Sequence, residues 1–462
     1  MTSICSFGPT CSNDVRDKLL WSLCILYAAV FTWLGTIKYA AHRNLVDFGI
    51  FAQTVASAFG CFCNAVEGSH WAYHFSPILY VVAIAVWLFH SPITLVALQA
   101  IAGALVAPPI YAIVARRSDV TTARLAAAVV LLYPPLAGLT FGDFHENGFA
   151  PAAVAWTLYA YDAGLLVWGA VCAALTLAVK EDQALFLAFA GAAGAFVYRD
   201  DRRRRRFALA VAGAAIAVAI VFFVAIQPHA RAAVAHWQPV RFYAWTAADV
   251  RALVPRGILD RLGFLLLILA PLAFVPLRAR AMLLAVPPLL EVLLSRMSTT
   301  FTLGSHYAGA WIGYLLVAFA AGVVGLAERN RARRALLWAI GLCVVELLVA
   351  NPLHPGLNLR PPQRRDAVLD AALKTLPPGI SVATQEEAYT HLALNDPYAR
   401  LLPERSDVET HACFILIDRS YPQSPRLQEY GSHLRQLVQV GRYVLVQRAA
   451  GIGLYRSVTA CR

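Results

Sequence analysis

The 462-residue chain is 59% hydrophobic and only 14% charged, where soluble domains hold roughly 25% charged residues. Charge-free runs recur along it, many approaching or exceeding the ~18 residues that cross a hydrocarbon core. A soluble enzyme, a disordered chain and a protein that wraps nucleic acid are excluded; this is a polytopic membrane protein. Its net charge of +12 is carried mostly by arginine, clustered at Arg116-Arg117, Arg199 with Arg202 to Arg206, Arg278 with Arg280, and Arg329 with Arg331, Arg333 and Arg334. Such clusters between apolar segments mark cytoplasmic loops, so topology accounts for them and no nucleic-acid partner is expected.

In chain order, residues 1–18 form a cytoplasmic N-terminus. The first apolar run, 19–38, has no small-residue cleavage site after it and reads as a retained anchor. Further apolar runs lie at about 75–90, 93–115, 121–141, 147–161, 164–179, 183–198, 207–227, 262–277, 281–295, 307–327 and 335–351. The run at 75–90 has uncharged flanks, His74-Phe75-Ser76-Pro77 and His90-Ser91-Pro92, and is read as interfacial. About eleven transmembrane helices remain within 19–351, and all four arginine clusters then fall on the cytoplasmic side. Residues 39–92 become an external loop with interfacial helices, and 228–261 a second external loop. The latter carries Arg231, Arg241, Arg251, Arg256 and Arg261, either tolerated there or forming a cationic rim for a phosphorylated ligand.

From 352 the composition changes. Pro352, Pro355, Pro361 and Pro362 make a linker, and 352–462 reads as a small extracytoplasmic α/β domain. Strands are expected at 381–384, 413–418 and 442–446 and a helix at 424–437. Of the nine cysteines, Cys24, Cys172 and Cys343 read as packing residues inside apolar runs. Cys413 and Cys461 form a candidate disulfide, and Cys61 and Cys63 flank one residue in the first external loop, where a metal role is the lesser reading.

Under this topology several polar motifs gather at the outer face, as the parts of one site would. Asp47 lies just beyond the first span and is either a helix N-cap or a general base tuned by partial desolvation. Asp143, His145 and Glu146 lie within four residues, a spacing that suits a divalent cation, an oriented base or a solvated turn. Glu181 and Asp182 follow Lys180 between two spans, where unpaired carboxylates are costly. Glu291 and Glu346 lie within apolar runs. His74, His306 and Tyr307 are candidates for holding a phosphate or a sugar hydroxyl.

The ordered strings LVDFGIFAQ (45–53), HFSPILY (74–80), FGDFHENGF (141–149) and VKEDQAL (179–185) resemble the prokaryotic family catalogued as domain of unknown function 2079, grouped with the GT-C superfamily of membrane glycosyltransferases. The likeness covers about residues 40–350. It is weaker after Ser305-His306-Tyr307, where Ala308-Gly309-Ala310 follows. It implies a GT-C-like bundle in a bacterial inner membrane with Asp47 as catalytic base. His74, Asp143, His145, Glu146, Glu181, Asp182, Arg241, His306 and Tyr307 would bind substrate, and Asp143 with His145 would be the ligands if a divalent metal takes part. The implied activity is transfer of a sugar from a polyprenyl-phosphate donor to an envelope glycan, lipid or protein acceptor outside the cytoplasm. The rival readings are a transporter or lipid flippase, and a non-catalytic scaffold for envelope assembly.

Overall fold

The computed structural model describes residues 17–230, 242–350, 359–403, 410–421 and 425–459. Helices come first: α1 (Lys18–Ala40), α2 (Val46–Ala56), α3 (Ile78–Phe89), α4 (Ile93–Ala104), α5 (Ala107–Ala115), α6 (Val120–Leu132), α7 (Pro134–Phe141), α8 (Ala150–Ala163), α9 (Leu166–Leu177) and α10 (Glu181–Val197). Then come α11 (Arg202–Ala230), α12 (Ala247–Ala252), α13 (Ile258–Leu269), α14 (Val286–Leu294), α15 (Gly309–Ala327) and α16 (Ala332–Val349). Between α2 and α3 a two-residue hairpin pairs β1 (Cys63–Asn64) with β2 (Gly68–Ser69).

The charges sort themselves to one end of the bundle. Asp17, Asp119 and Asp201 cap α1, α6 and α11, each accepting backbone N–H groups of the first turn, which satisfies donors that a helix start leaves orphaned. Asp17 also binds Arg124 at 2.7 Å, Asp119 binds Arg333 at 3.0 Å, and Asp162, at the end of α8, binds Arg117 at 2.7 Å. The starts of α1, α6 and α16 and the ends of α5 and α8 are thereby tied together, with arginine clusters around them. The opposite end gathers the last turn of α1, the loop after α7, and the starts of α10 and α15.

Among the described residues four helices are long and apolar enough to cross a membrane: Lys18–Ala40, Ile93–Ala115, Arg202–Ala230 and His306–Ala327. The bent pair α6 and α7, 47° apart, makes a fifth if counted as one span. Their junction is Tyr133 before Pro134, where proline forbids a helical predecessor. A count of eleven therefore relies on shorter helices. The expected spans 262–277 and 281–295 are, in the structure, the short helices α13 and α14 joined by tight 3-10 turns across 270–285. Pro271 and Pro276 remove backbone donors there, and Ala273 and Phe274 turn the chain through the left-handed region. α15 is the central element, with most of its side chains buried from Trp311 to Leu326.

Beyond residue 359 a five-stranded sheet forms, in the order β4 (Ala399–Leu401), β3 (Val382–Thr384), β5 (Phe414–Asp418), β7 (Ile452–Ser457), β6 (Tyr443–Ala449). The first three strands are parallel and the last three antiparallel. β5, Phe-Ile-Leu-Ile-Asp, is buried throughout, as a strand covered on both faces must be. Helices α17 (Arg364–Lys374), α18 (Glu386–Leu392) and α19 (Pro425–Gln439) flank the sheet.

This unit grips α2. The Gln53 amide donates to the carbonyls of Asp396, Pro397 and Ala399, and its oxygen accepts from the Tyr389 hydroxyl at 2.8 Å. Gly49 lets the Tyr389 ring lie against the backbone, since a Cβ there would come within 2.4 Å of it.

Gly309 starts α15 against the loop 142–149, and a Cβ on it would sit 2.2 Å from the Asn147 carbonyl oxygen. Gly309→Ala should therefore cost about 1–3 kcal/mol through overpacking. Gly341→Ala, whose Cβ meets no described atom within 4 Å, should be neutral or slightly stabilising. Thermal unfolding of both variants in detergent checks this.

Candidate active site

The site is built on a clamp that sequence reading did not anticipate. Lys38, in the last turn of α1, is buried and pairs with Asp143 at 2.7 Å. The other Asp143 oxygen accepts the Leu45 backbone N–H at 2.6 Å, and the Asn44 amide donates to the first at 3.2 Å. One carboxylate thus fastens the turn before α2 to the loop after α7. Gln99, buried on α4, donates to carbonyls at the end of α7 and in that loop and accepts the His145 backbone N–H at 3.0 Å. The signal for both was present as a lone cation and a lone amide at the edge or inside of apolar runs, where polar groups must be satisfied.

With the loops fixed, four side chains stack up. Asp47, in the first turn of α2, lies 3.4 Å from His306 Nδ1, with its side chain 36% exposed. The His306 ring stacks on that of His145, with centroids 3.9 Å apart and planes 8° from parallel. His145 Nδ1 sits 2.9 Å from Glu146 Oε2 and also receives the Asn147 backbone N–H at 3.3 Å. Glu146 Oε1 and both amide atoms of Asn147 are buried with no hydrogen-bond partner among the described residues, while Glu146 Oε2 has His145 as its partner. Buried polar atoms are almost always paired, so this pocket presents unspent hydrogen-bonding capacity beside Asp47.

A second group adjoins it. His74 Nδ1 is 3.0 Å from Glu181 Oε1, whose other oxygen accepts the Phe75 backbone N–H at 2.9 Å. Lys180 is buried, points its ammonium over the Tyr307 ring at 5.8 Å, and interacts with Asp182, Glu146 and Glu181. Tyr243, whose hydroxyl donates to the Glu291 carbonyl at 3.2 Å, and Glu291 itself lie within electrostatic reach of Asp182 and Lys180. Asp47, His74, His145, Glu146, Glu181, Asp182, His306 and Tyr307 therefore form one connected cluster around Lys180. Glu346 does not join them; it is buried on α16 beside Cys343 and Tyr133.

The electrostatics correct one expectation. Burial acts to raise the Asp47 carboxyl, but the hydrogen bond and charge of His306, with His145 behind it, outweigh burial and hold it at about 2. Asp47 is thus an ionised hydrogen-bond acceptor at physiological pH rather than a base tuned upward. Burial presses His145 down to about 4, leaving it neutral. Burial dominates for Asp182 as well, and with Glu181 and Glu146 nearby its carboxyl is raised above the usual range despite Lys180. Lys180 loses stability as a cation by burial, yet the three surrounding carboxylates more than restore it and keep it protonated.

Three other expectations change. Asp143 is committed to Lys38, Asn44 and the Leu45 N–H, so it is not a free metal ligand beside His145, and the residues expected to hold a divalent metal do not fit one. Arg241 and Arg231, in the expected second external loop, lie outside the described residues. Arg261 spends its guanidinium on the carbonyls of Gly257, Leu293 and Ser295 and is a structural clamp rather than part of a rim. Cys61 and Cys63 are joined in a disulfide, which leaves no thiolate pair for a metal, whereas Cys461, the expected partner of Cys413, is outside the described residues.

The fold has solved counterparts. The crystal structure of ArnT from Cupriavidus metallidurans bound to undecaprenyl phosphate is similar with a TM-score of 0.56 at 12% identity, covering 96% of this chain and 100% of that one. Its apo form gives 0.53 at 13% identity, covering 95% and 98%. A search of curated proteins finds no match. A multi-pass membrane protein with an ArnT-like fold is thereby defined. The chain belongs to the family described as predicted membrane protein (DUF2079), whose profile matches residues 42–454.

Breaking the clamp gives a direct check on the site's foundation. Lys38→Met should destabilise by about 3–5 kcal/mol, because it strands a buried carboxylate. Lys38→Met with Asp143→Asn should recover most of that loss, and a double-mutant cycle on thermal stability reads the coupling.

Proposed function

We propose that the protein transfers a sugar from a polyprenyl-phosphate donor to an acceptor hydroxyl at the outer face of the membrane. The observation that carries this reading is the cluster itself. A partly exposed, ionised Asp47 backed by His306 stands next to buried Glu146 and Asn147, which keep one carboxylate oxygen and an amide unpaired among the described residues, with a protonated Lys180 behind. ArnT, whose fold this chain shares, is crystallised with undecaprenyl phosphate, which supports a lipid phosphate as the donor's carrier.

The chemistry needs a bond from the acceptor oxygen to the anomeric carbon as the bond to the phosphate oxygen breaks, with that electron pair leaving on the phosphate. Asp47, held at about 2, is too weak a base to deprotonate a free alcohol. It suffices once C–O bond formation has made the hydroxyl proton strongly acidic, so its role is to orient the acceptor and take that proton late. Lys180 and His74 are the groups suited to the charge that develops on the leaving phosphate. Glu146 and Asn147 are suited to sugar hydroxyls.

The topology favoured by this reading has the N-terminus and the arginine end in the cytoplasm of a bacterial inner membrane, with residues 352–462 outside. The Cys61–Cys63 disulfide supports an oxidising side for the first external loop.

Purified protein in vesicles, offered a panel of polyprenyl-phosphate sugars with crude envelope acceptor, should consume one of them. Asp47→Asn should lose at least about 100-fold in rate, in keeping with the loss of an acid–base group. Donor binding without turnover by both proteins would favour a transporter or scaffold. The donor's KM should fall as the medium is taken from about pH 8 to about pH 5. Asp182, raised above the usual carboxylate range, takes up its proton in that direction and releases Lys180 for the phosphate, while Asp47 stays ionised. Asp182→Asn should flatten that dependence, and an unchanged slope in the variant would count against the role given to Asp182.

A further inference from the structure

A second constellation lies where α1 ends and the sheet-bearing unit docks. His42 follows α1 with a left-handed φ of 52°, a conformation that a non-glycine residue holds only where its surroundings enforce it. Its Nδ1 is 3.0 Å from the Glu387 carbonyl oxygen, and its Nε2 is 2.9 Å from Asp370 Oδ1. On α18, His391 has Nε2 at 3.0 Å from the Tyr39 carbonyl oxygen and Nδ1 at 3.5 Å from the same Asp370 oxygen. The two rings stack with centroids 3.7 Å apart.

The tautomers follow from these partners. A backbone carbonyl only accepts, so His42 carries its proton on Nδ1 and His391 on Nε2. Each ring then turns a bare lone pair toward Asp370, and two imidazole acceptors confront one carboxylate oxygen. A single added proton relieves one contact and leaves the other. A second would set two imidazolium rings face to face. One divalent cation would satisfy all three groups once the two rings part from their stack, since a metal must lie close to both ring planes; their donor atoms lie within 4.8 Å of one another. Histidines locked by a carbonyl behind the remote N–H are the arrangement that orients metal ligands and raises their basicity.

We propose that His42, Asp370 and His391 bind a zinc ion. Two neutral imidazoles and a carboxylate form a borderline donor set that suits Zn2+. The His42 side chain is fully buried and that of Asp370 is 41% exposed, so a fourth, water-held position opens on the Asp370 side. The three ligands come from the end of α1, from α17 and from α18. The ion therefore pins the C-terminal unit to the turn that leads into α2, five residues before Asp47. This assignment does not depend on the transfer reaction proposed above, because its readouts are metal content, spectrum and exchange rather than activity.

The test uses the full chain in nanodiscs, with any affinity tag removed, stripped with a chelator and titrated with Zn2+ or Co2+. Wild type should take up about one zinc per chain and give the visible d–d bands of four-coordinate Co2+. Asp370→Asn should weaken binding about tenfold or more and abolish the bands, while Asp370→His should retain both. Chelation of wild type should speed hydrogen–deuterium exchange across α2, and Asp370→Asn should already exchange fast and ignore the chelator. Wild type and Asp370→Asn binding zinc alike, or wild type holding less than about a tenth of an equivalent, would overturn the assignment. So would a shared proton, seen as an imidazolium NMR signal that added zinc does not displace.

Discussion

The buried pair of Lys38 and Asp143 is the joint from which the rest of this end of the bundle hangs. One carboxylate answers a cation on α1, a side-chain amide and a backbone N–H on the turn before α2. Through it, the residue leading to Asp47 and the residues leading to His145 and Glu146 are held at fixed separation. A charge pair this deep is unfavourable unless its remaining lone pairs are used, and here they are. Chains from α1, α2, α7, α10 and α15 can then meet in one place without an extended scaffold of their own.

Electrostatics gives that meeting place its character. Carboxylates outnumber cations in the cluster, and a single lysine with three histidines sets which of them stay ionised. Asp47 is pinned low by His306, whereas Asp182 is pushed up by burial and by its acidic neighbours. Two carboxyl groups with opposed displacements, both within electrostatic reach of Glu146, are what the proposed division of labour rests on. One stays available to accept a hydrogen bond, and the other exchanges its proton with the ionic surroundings of Lys180. The sheet-bearing unit contributes from outside, through Gln53 and through Tyr389 lying on Gly49, by holding the helix on which Asp47 rides.

Much of this was readable in the residues. Hydropathy located most of the helices to within a turn, and β-branched runs located β5 and β6. Charge clustering separated the two ends of the bundle, because arginines and capping aspartates are needed where helices emerge. The motifs of the candidate site stand out because they set carboxylates and histidines against apolar sequence. Their pairing was not legible: nothing local joins His306 to Asp47 or Lys38 to Asp143 across more than a hundred residues. Asp143 was misread as a ligand for that reason. The broken passage from α13 to α14 was also hidden, since hydropathy averages over Pro271 and Pro276 while the backbone cannot. His42, Asp370 and His391 gave no signal at all, each being an isolated polar residue in its own segment.

The central claim is that these dispersed motifs form one pocket for a lipid-linked phosphate. The most direct measurement is photo-crosslinking in vesicles with a polyprenyl phosphate bearing a diazirine next to the phosphate, followed by peptide mapping. The account predicts labelling concentrated around His74 to Ile78, Lys180 to Gln183 and His306 to Tyr307, competed by unlabelled polyprenyl phosphate and not by polyprenol. Labelling spread over the exposed apolar faces of α3 and α11, and equal with the phosphate-free lipid, would contradict it.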